Sequence, residues 1–432
     1  MPGAAEARGA RVRHFLFLQG PLSPLYRRIG ARLSEAGHRV TRVNFCAGDW
    51  LHWHGRECRF WRGRLADWPA EAARLMAEGA ITDLVLHGDT RPYHRPAVLA
   101  AQARGIAVHV SELGLLRPGY MTLARGGLGV LSRLPDDPAA IRRAAARLGE
   151  PDLSPRYPGS FALEAWQDVA YHLPNVAGFP LHPFYRRHTP SHPFADYLAW
   201  ALRLAGGRRR RNEAARVEAA LLGSDGPLFL LPLQVEGDYQ ILAQSQFGTM
   251  RAALAHAIAA FRDGAPKEAR LVVKAHPLDN GAVDWRAEIA RHAGADGGRI
   301  AFLDGGSLAA LFPRLAGLVT VNSTAGLDAL RAGVPVATLT PALYDMAGLT
   351  HRGPLAEFWQ APRVPDPALL ADFLKVVVAS SQLRGSIHNR AGLDEAVETM
   401  SARLLDERVP DPDWHVEPPP RLARARAMGV PL

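Results

Sequence analysis

The sequence predicts an α/β protein with two doubly wound, Rossmann-type domains and a helical C-terminal tail. Three observations carry that prediction. Short apolar runs alternate with segments of helical period, the signature of strands joined by crossover helices. The alternation breaks between residues 151 and 226 and then restarts. A chain of 432 residues also exceeds one ordinary core and divides naturally into domains of roughly 150–200 residues.

The elements follow in order. "HFLFLQG" (14–20) is an apolar run stopped at Gln-Gly-Pro, a buried strand and a tight turn. "SPLYRRIGARLSEAGH" sets Leu25, Ile29 and Leu33 at helical spacing, with Gly37 as the stop. "RVTRVNF" is the second strand. "ITDLVLHGD", "RPAVLAAQARG" and "IAVHVSE" repeat strand, helix and strand. Residues 151–226 are rich in Pro, His and aromatics and carry "GGRRRRNEAAR", read as a solvated helix start or linker. The rhythm returns with "PLFLLPLQ" (strand), "FGTMRAALAHAIAAFRDG" (helix), "ARLVVKAHP" (strand) and "RIAFLD" (strand). "SLAALFPRL" (helix), "GLVTVNS" (strand), "TAGLDALRAG" (helix) and "VPVATL" (strand) complete it. The expected partition is an N-terminal α/β domain over 1–195 and an Arg-rich connector over 196–226. A C-terminal α/β domain over 227–362 and a helical, Pro-rich tail over 363–432 follow.

Bulk properties exclude several classes. Hydrophobic content of 48% with 22% charged residues fits a folded globular protein and argues against disorder. The net charge is +9, yet only Lys267, Lys274 and Lys375 among 51 basic residues are lysine. That bias fits GC-rich codon usage better than a polyanion-binding surface. With no helix-turn-helix, RNP or zinc-finger pattern, no nucleic-acid partner is expected. The basic balance suits an anionic membrane surface or an anionic sugar ligand. Cys46 and Cys58 make no disulfide framework or zinc pattern and read as reduced thiols. The N-terminus lacks the apolar core of a signal peptide, and no run approaches eighteen apolar residues. The expectation is a cytoplasmic protein, at most peripheral to a membrane.

Ligands of open parallel sheets sit outside the carboxyl ends of the strands. In "VTVNSTAGLDAL" the strand ends at Asn322, Ser323 and Thr324, and Gly326 opens the next helix. Hydroxyls and free amides at a helix N-terminus suit an anion, and a glycine admits close approach; a plain Ser/Thr cap is the competing account. In "VVKAHP", Pro277 keeps His276 extended, so its imidazole projects from the strand end and faces Ser323 and Thr324 in the adjacent strand's loop. Lys274 is placed to pair with phosphate or a sugar carboxylate, or to cap its strand. In "HGDTRPYHR", Asp89, Arg91, His94 and Arg95 cluster after a strand, where an arginine fork fits a carboxylate or phosphate. Glu112 or Asp89 is the candidate general base; a structural ion pair at Asp89 is the alternative. "DWLHWHG" offers Asp49, His52 and His54, with two histidines on one face of a strand, but no third ligand is evident and no metal is expected. Trp50, Trp53 and Trp61 suit sugar stacking, a lipid-facing patch or core packing.

"FLQGP", "GHRVTRVNFCAGDW", "GDTRPYHR", "PLQVEGDYQI", "VVKAHPLDNG", "VTVNSTAGLDAL", "PVATL" and "LYDMAGLTHRGPLAEFW" together resemble successive signatures of the capsular polysaccharide synthesis and export family, in its short, single-module KpsS/LipB type. The resemblance covers about residues 14–362. It implies a GT-B-like fold, with two Rossmann-type domains facing a central cleft. The implied activity is metal-independent, retaining transfer of β-Kdo from CMP-β-Kdo to a phosphatidylglycerol-type lipid, at the cytoplasmic face of the inner membrane beside other capsule synthesis and export proteins. Retention needs two displacements, so a carboxylate attacks the anomeric carbon first. Asp238 in "QVEGDYQI" is the implied nucleophile, with Glu236 the alternative. His276 with Pro277, Asn322, Ser323, Thr324 and Gly326 would hold the CMP phosphate, with Lys274 beside them. Gln19, Arg91, His94, Arg95, Arg117 and Gln234 would bind substrate. The chain departs from the family pattern in three places. Ala275 stands where a first histidine is common, "SELGLLRP" has Leu113 in place of a second acid, and "GGLGV" replaces a "GVNG" stretch. Rival readings are a transferase or epimerase using a UDP-sugar, and a non-catalytic capsule-assembly scaffold.

Overall fold

The computed structural model describes residues 11–187, 193–406 and 414–432. Twelve strands run through them in chain order. They are β1 (His14–Phe17), β2 (Arg39–Asn44), β3 (Cys58–Phe60), β4 (Asp83–His87), β5 (Ala107–Leu113), β6 (Tyr120–Arg125), β7 (Leu228–Pro232), β8 (Arg270–Lys274), β9 (Ile300–Leu303), β10 (Leu315–Thr320), β11 (Val336–Thr338) and β12 (Gln382–Arg384). They form two sheets in two compact units, as the α/β reading expects.

The units are interleaved along the chain, which corrects the linear partition at 195, 227 and 363. The first unit gathers the described residues up to Gly126, Ser154–Arg186 and 382–406. The second gathers Gly127–Leu153, the described residues of Arg187–Ser381 and 414–432. The cause is packing. β12 pairs antiparallel with β6, and the helix Arg390–Leu405 brings Ala396, Val397, Met400 and Leu404 into the same core as Phe15 and Phe17 of β1. Residues 196–226 are not a connector between the units: they belong to the second, mostly in the helices Pro193–Ala205 and Gly207–Leu222. The arginine run is the exposed start of the latter, a solvated helix start as read.

The first unit's sheet has the order β12-β6-β5-β4-β1-β2-β3, with β6 antiparallel to both its neighbours and the other pairs parallel. The helix Leu25–Glu35 buries Leu25, Ile29 and Leu33, as their four-residue spacing dictates. It ends at Gly37, whose φ of +86° favours glycine.

The second unit's sheet is wholly parallel, in the order β11-β10-β7-β8-β9. Its central strand β7 reads LFLLP and is buried throughout, because crossover helices cover both faces of a parallel sheet. The helix Met250–Gly264 supplies Met250, Leu254, Ile258 and Phe261 to that core. "SLAALFPRL", expected as one helix, is a single turn, Leu308–Leu311, followed by a 3-10 turn at Phe312–Arg314. Pro313 supplies no backbone donor, so the α-helix does not continue.

Each sheet thus presents its candidate residues at carboxyl ends. Gln19 follows β1, Asp89 follows β4 and Glu112 lies near the end of β5. Gln234 follows β7, His276 follows β8 and Ser323 follows β10.

Candidate functional site

In the second unit β7 separates β8 from β10. His276 and Ser323 therefore leave strands two apart, about 10 Å at the usual strand spacing. The expectation that they emerge from adjacent strands is corrected: the loop after β7 stands between them. That loop is cross-braced. Gln234 Nε2 donates to Asn322 Oδ1 at 3.1 Å, and Asn322 Nδ2 donates to the Gln240 carbonyl at 2.9 Å. Gln234 and Asn322 hold the loops after β7 and β10 together, so their amides scaffold the site.

Asp238 caps the short helix Tyr239–Leu242, its Oδ1 accepting from Gln240 N at 2.9 Å, directly after Gly237 at φ +92°. It is partly exposed. Glu236 Oε2 instead accepts from Met250 N at 3.1 Å and, with Thr249, caps the helix Met250–Gly264. Of the two acids offered as nucleophile, Glu236 is thus engaged with the start of a core helix.

Ser323 is the N-cap of the helix Thr324–Arg331, its Oγ accepting from Ala325 N at 3.2 Å. Thr324 occupies the first helical position. A Cβ on Gly326 would stand 2.7 Å from Tyr344 Cζ, closer than carbon atoms pack. The Tyr344 hydroxyl donates to the Ser323 carbonyl at 2.5 Å. Gly326 is thus required by a buried tyrosine, a demand that the reading of phosphate approach did not include. On the other side of β7, Leu278 N donates to His276 Nδ1 at 3.0 Å. That bond leaves the neutral ring's proton on Nε2, a donor at the strand end. Lys274 is buried at the end of β8; burial lowers its pKa, against the nearby charges of Asp304 and Glu218.

In the first unit, Gln19 is 2% exposed and its amide nitrogen lies 3.0 Å from Asp49 Oδ2, 3.0 Å from the Tyr171 hydroxyl and 3.1 Å from that of Tyr185. Asp49 also faces Arg42 Nη2 at 3.4 Å and accepts from Phe45 N at 2.9 Å. Gln19 is a buried strut of this network, which corrects its assignment as a substrate ligand. His94 is corrected too. Its Nδ1–H donates to the Gly88 carbonyl at 2.7 Å, and the residue is fully buried. Burial, then the charge of Arg91, holds its pKa well below the usual histidine value.

What reaches solvent is Glu112, whose side chain is 35% exposed, whereas Asp89 is 1% exposed. Glu112 Oε1 lies 3.6 Å from His87 Nε2. His87 Nδ1 is 2.9 Å from Ser111 Oγ, which is 2.7 Å from the Tyr26 hydroxyl. Burial, then Arg91 and His388, keeps His87 well below its ordinary pKa, so the ring is neutral. Arg91 Nε and Glu112 Oε2 both border Gly88, within 3.5 and 3.6 Å of where a Cβ would stand. The guanidinium groups of Arg91 and Arg95 have no ion-pair partner among the described residues and are partly exposed. Arg117 is exposed, its Nε donating to the Gly114 carbonyl at 2.8 Å. The corner thus combines a solvent-reaching carboxylate, two available guanidiniums and a buried Tyr–Ser–His chain behind them, groups that can bind an anion and accept a proton.

A family model described as a capsule polysaccharide biosynthesis protein matches residues 82–388. The chain belongs to that family. The chain is 28% identical to the capsule polysaccharide modification protein LipB of Neisseria meningitidis serogroup A, over 88% of this chain and 92% of that one. It is 29% identical to the capsule polysaccharide export protein KpsS of Escherichia coli, over 86% and 96%. Among solved structures it is similar to the Thermosulfurimonas dismutans KpsC β-Kdo 2,7 transferase, at 15% identity and a TM-score of 0.40, over 91% of this chain and all of that one.

Sequence reasoning missed two parts of the first-unit corner. His87 and Ser111 sit inside strands that read as apolar runs, and only strand pairing shows them side by side: His87 is the register partner of Ser111. His52 and His54, read as one face of a strand, do not lie in a strand. His52 ends the helix Ala47–His52 and stacks on Tyr171, His54 packs by Trp50, and Asp49 belongs to the buried network. Of the three tryptophans, Trp53 is core, its ring edge-on to Phe17, while Trp50 is exposed.

Proposed function

We propose that this protein is a retaining glycosyltransferase that moves β-Kdo from CMP-β-Kdo to a phosphatidylglycerol-type lipid, starting the linker on which capsule is built. Family membership, the motif resemblance and the capsule roles named for its relatives support the reading. The observation that carries it is the Glu112 corner, a solvent-reaching carboxylate with Arg91, which has no ion-pair partner among the described residues, alongside and neutral His87 behind. An acidic lipid headgroup finds a bidentate partner in Arg91. The acceptor hydroxyl finds a proton acceptor in Glu112.

In the second unit the CMP phosphate would bind the amides of the helix Thr324–Arg331 and the Nε2–H of His276. The helix start and the imidazole stabilise the charge left on the departing phosphate. Asp238 Oδ attacks C2 of the sugar as the C2–O(phosphate) bond breaks and CMP leaves. The acceptor oxygen then attacks C2 as its proton is lost to a base, and the C2–Asp238 ester bond breaks. Two inversions give retention. No metal takes part, so chelator is expected to leave the rate unchanged. The enzyme works at the cytoplasmic face of the inner membrane, with other capsule proteins as partners.

The test supplies CMP-Kdo, generated in situ, and a fluorescent phosphatidylglycerol analogue. Transfer is expected, with Asp238→Ala losing at least about 100-fold in rate. Full activity in that variant would remove Asp238 as nucleophile. Absence of transfer, together with thermal stabilisation by UDP and not CMP, would overturn the donor.

A further inference from the structure

The helices Pro193–Ala205 and Gly207–Leu222 take no part in the chemistry above. The first carries Phe194, Leu198 and Leu202 at four-residue intervals, one stripe along a helix, which Ala201 and Ala205 widen. Such a stripe normally faces a core. Here it faces outward: Phe194, Leu198 and Leu202 are 55, 64 and 68% exposed, and Pro193 is the helix's buried residue.

The second helix opens with Arg208, Arg209, Arg210 and Arg211. Charge is sorted across the pair. All three carboxylates turn to the rest of the second unit. Asp196 accepts from Asn280 Nδ2 at 2.9 Å, Glu213 pairs with Arg286 at 2.7 Å, and Glu218 lies against Gly306. Arg203 and Arg210 reach Asp304 at 2.6 and 3.6 Å. Arg208, Arg209, Arg211 and Arg216 are exposed, with no ion-pair partner among the described residues. The outward surface is therefore apolar followed by cationic. Asn280 belongs to the loop after His276, and Asp304 follows β9, so the pair is tied to loops at the carboxyl edge of the sheet.

One occupant satisfies both halves. An anionic bilayer takes apolar side chains at the headgroup boundary and pairs its phosphates with arginine. A two-fold pairing of identical chains would oppose arginine to arginine, and nucleic acid would leave the stripe uncovered. A thirteen-residue helix is about 20 Å long, too short to cross a bilayer. We propose that the two helices are a docking arm that lies in the surface of an anionic phospholipid bilayer. Phe194, Leu198 and Leu202 enter the interface, and Arg208, Arg209, Arg211 and Arg216 bind phosphates. This deepens the lipid-acceptor reading and rests on it for its purpose.

Flotation of the full chain with phosphatidylcholine–phosphatidylglycerol vesicles tests it, against phosphatidylcholine alone and at rising salt. Binding is expected only to the anionic vesicles and to weaken with salt. Replacing Arg208, Arg209 and Arg211 by Gln is expected to cut affinity on the order of 100-fold. Replacing Phe194, Leu198 and Leu202 by Ser is expected to cut it comparably. Both variants should keep the parent melting temperature and transfer to a short-chain, soluble phosphatidylglycerol. Unchanged affinity in either variant, or no binding of the parent chain, overturns the arm. So does a parent dimer that the serine variant dissociates without change in vesicle binding. Transfer to the soluble acceptor without vesicle binding defeats the arm alone; vesicle binding without transfer defeats the transferase alone.

Discussion

Glu112 and Leu113 are neighbours in β5 with opposite fates. Side chains alternate across a strand, so Glu112 reaches solvent while Leu113 packs against the core holding Phe15 and Phe17. The second acid seen in the family pattern would here occupy the core-facing position, which explains why leucine is accommodated. Glu112→Gln is expected to lower kcat about 100-fold, measured by product formation, with the melting temperature unchanged. Arg91→Lys keeps the charge but loses the planar fork, so KM for the acidic acceptor should rise about tenfold with little change in kcat. His87 and His94 are buried with pKa values held well below the free value. Below the unfolded value of about 6.5 the unfolded chain takes up protons that the folded chain refuses, so stability falls as pH drops from there towards the folded values. His94→Asn keeps a donor for the Gly88 carbonyl and removes one such proton. Its unfolding free energy between pH 5 and 6.5 should depend less steeply on pH, by up to about 1.4 kcal/mol per pH unit.

Elements make the second-unit site by capping. Ser323, Asp238, Glu236 and Thr249 all accept backbone N–H bonds at helix starts, so residues that look chemical in sequence serve the fold locally as well. The Tyr344 ring against Gly326 sets where the helix Thr324–Arg331 begins, through its bond to the Ser323 carbonyl. Gly326→Ala should cost about 2 kcal/mol by overpacking and weaken CMP binding as the helix start shifts. Adding Tyr344→Phe removes the hydroxyl from the clash, and urea melts of the single and double variants should show partial recovery. A glycine tolerated only for phosphate approach would leave stability unchanged in the single variant.

Across the whole chain, late segments complete early ones. Leu383, Ile387, Val397, Met400 and Leu404 share a core with β1 and the helix Leu25–Glu35. Truncation after Ser381 is therefore expected to unfold the first unit, seen as aggregation or lost native circular dichroism, although every candidate site residue remains. Arg421 acts similarly in the second unit. It is fully buried, donates to the carbonyls of Leu134, Pro135, Ala342 and Leu343, and stays protonated at neutral pH despite a pKa pulled down to about 10 by burial. Arg421→Met strands those carbonyls and should cost at least about 3 kcal/mol in chemical denaturation.

The sequence by itself determined the α/β class, most strands and the placing of Asp238, His276, Ser323 and Glu112 near strand ends, because apolar period and turn residues act over a few neighbours. It also carried the family, through motifs spread from the first strand to residue 362. Only tertiary structure decided that β7 divides His276 from Ser323, that Gln19 and His94 are enclosed, that His87 backs Glu112, and that the segment from residue 382 belongs with the first strands. Strand order, burial and core membership depend on pairings between residues far apart in the chain, and no local pattern encodes which distant partner is met.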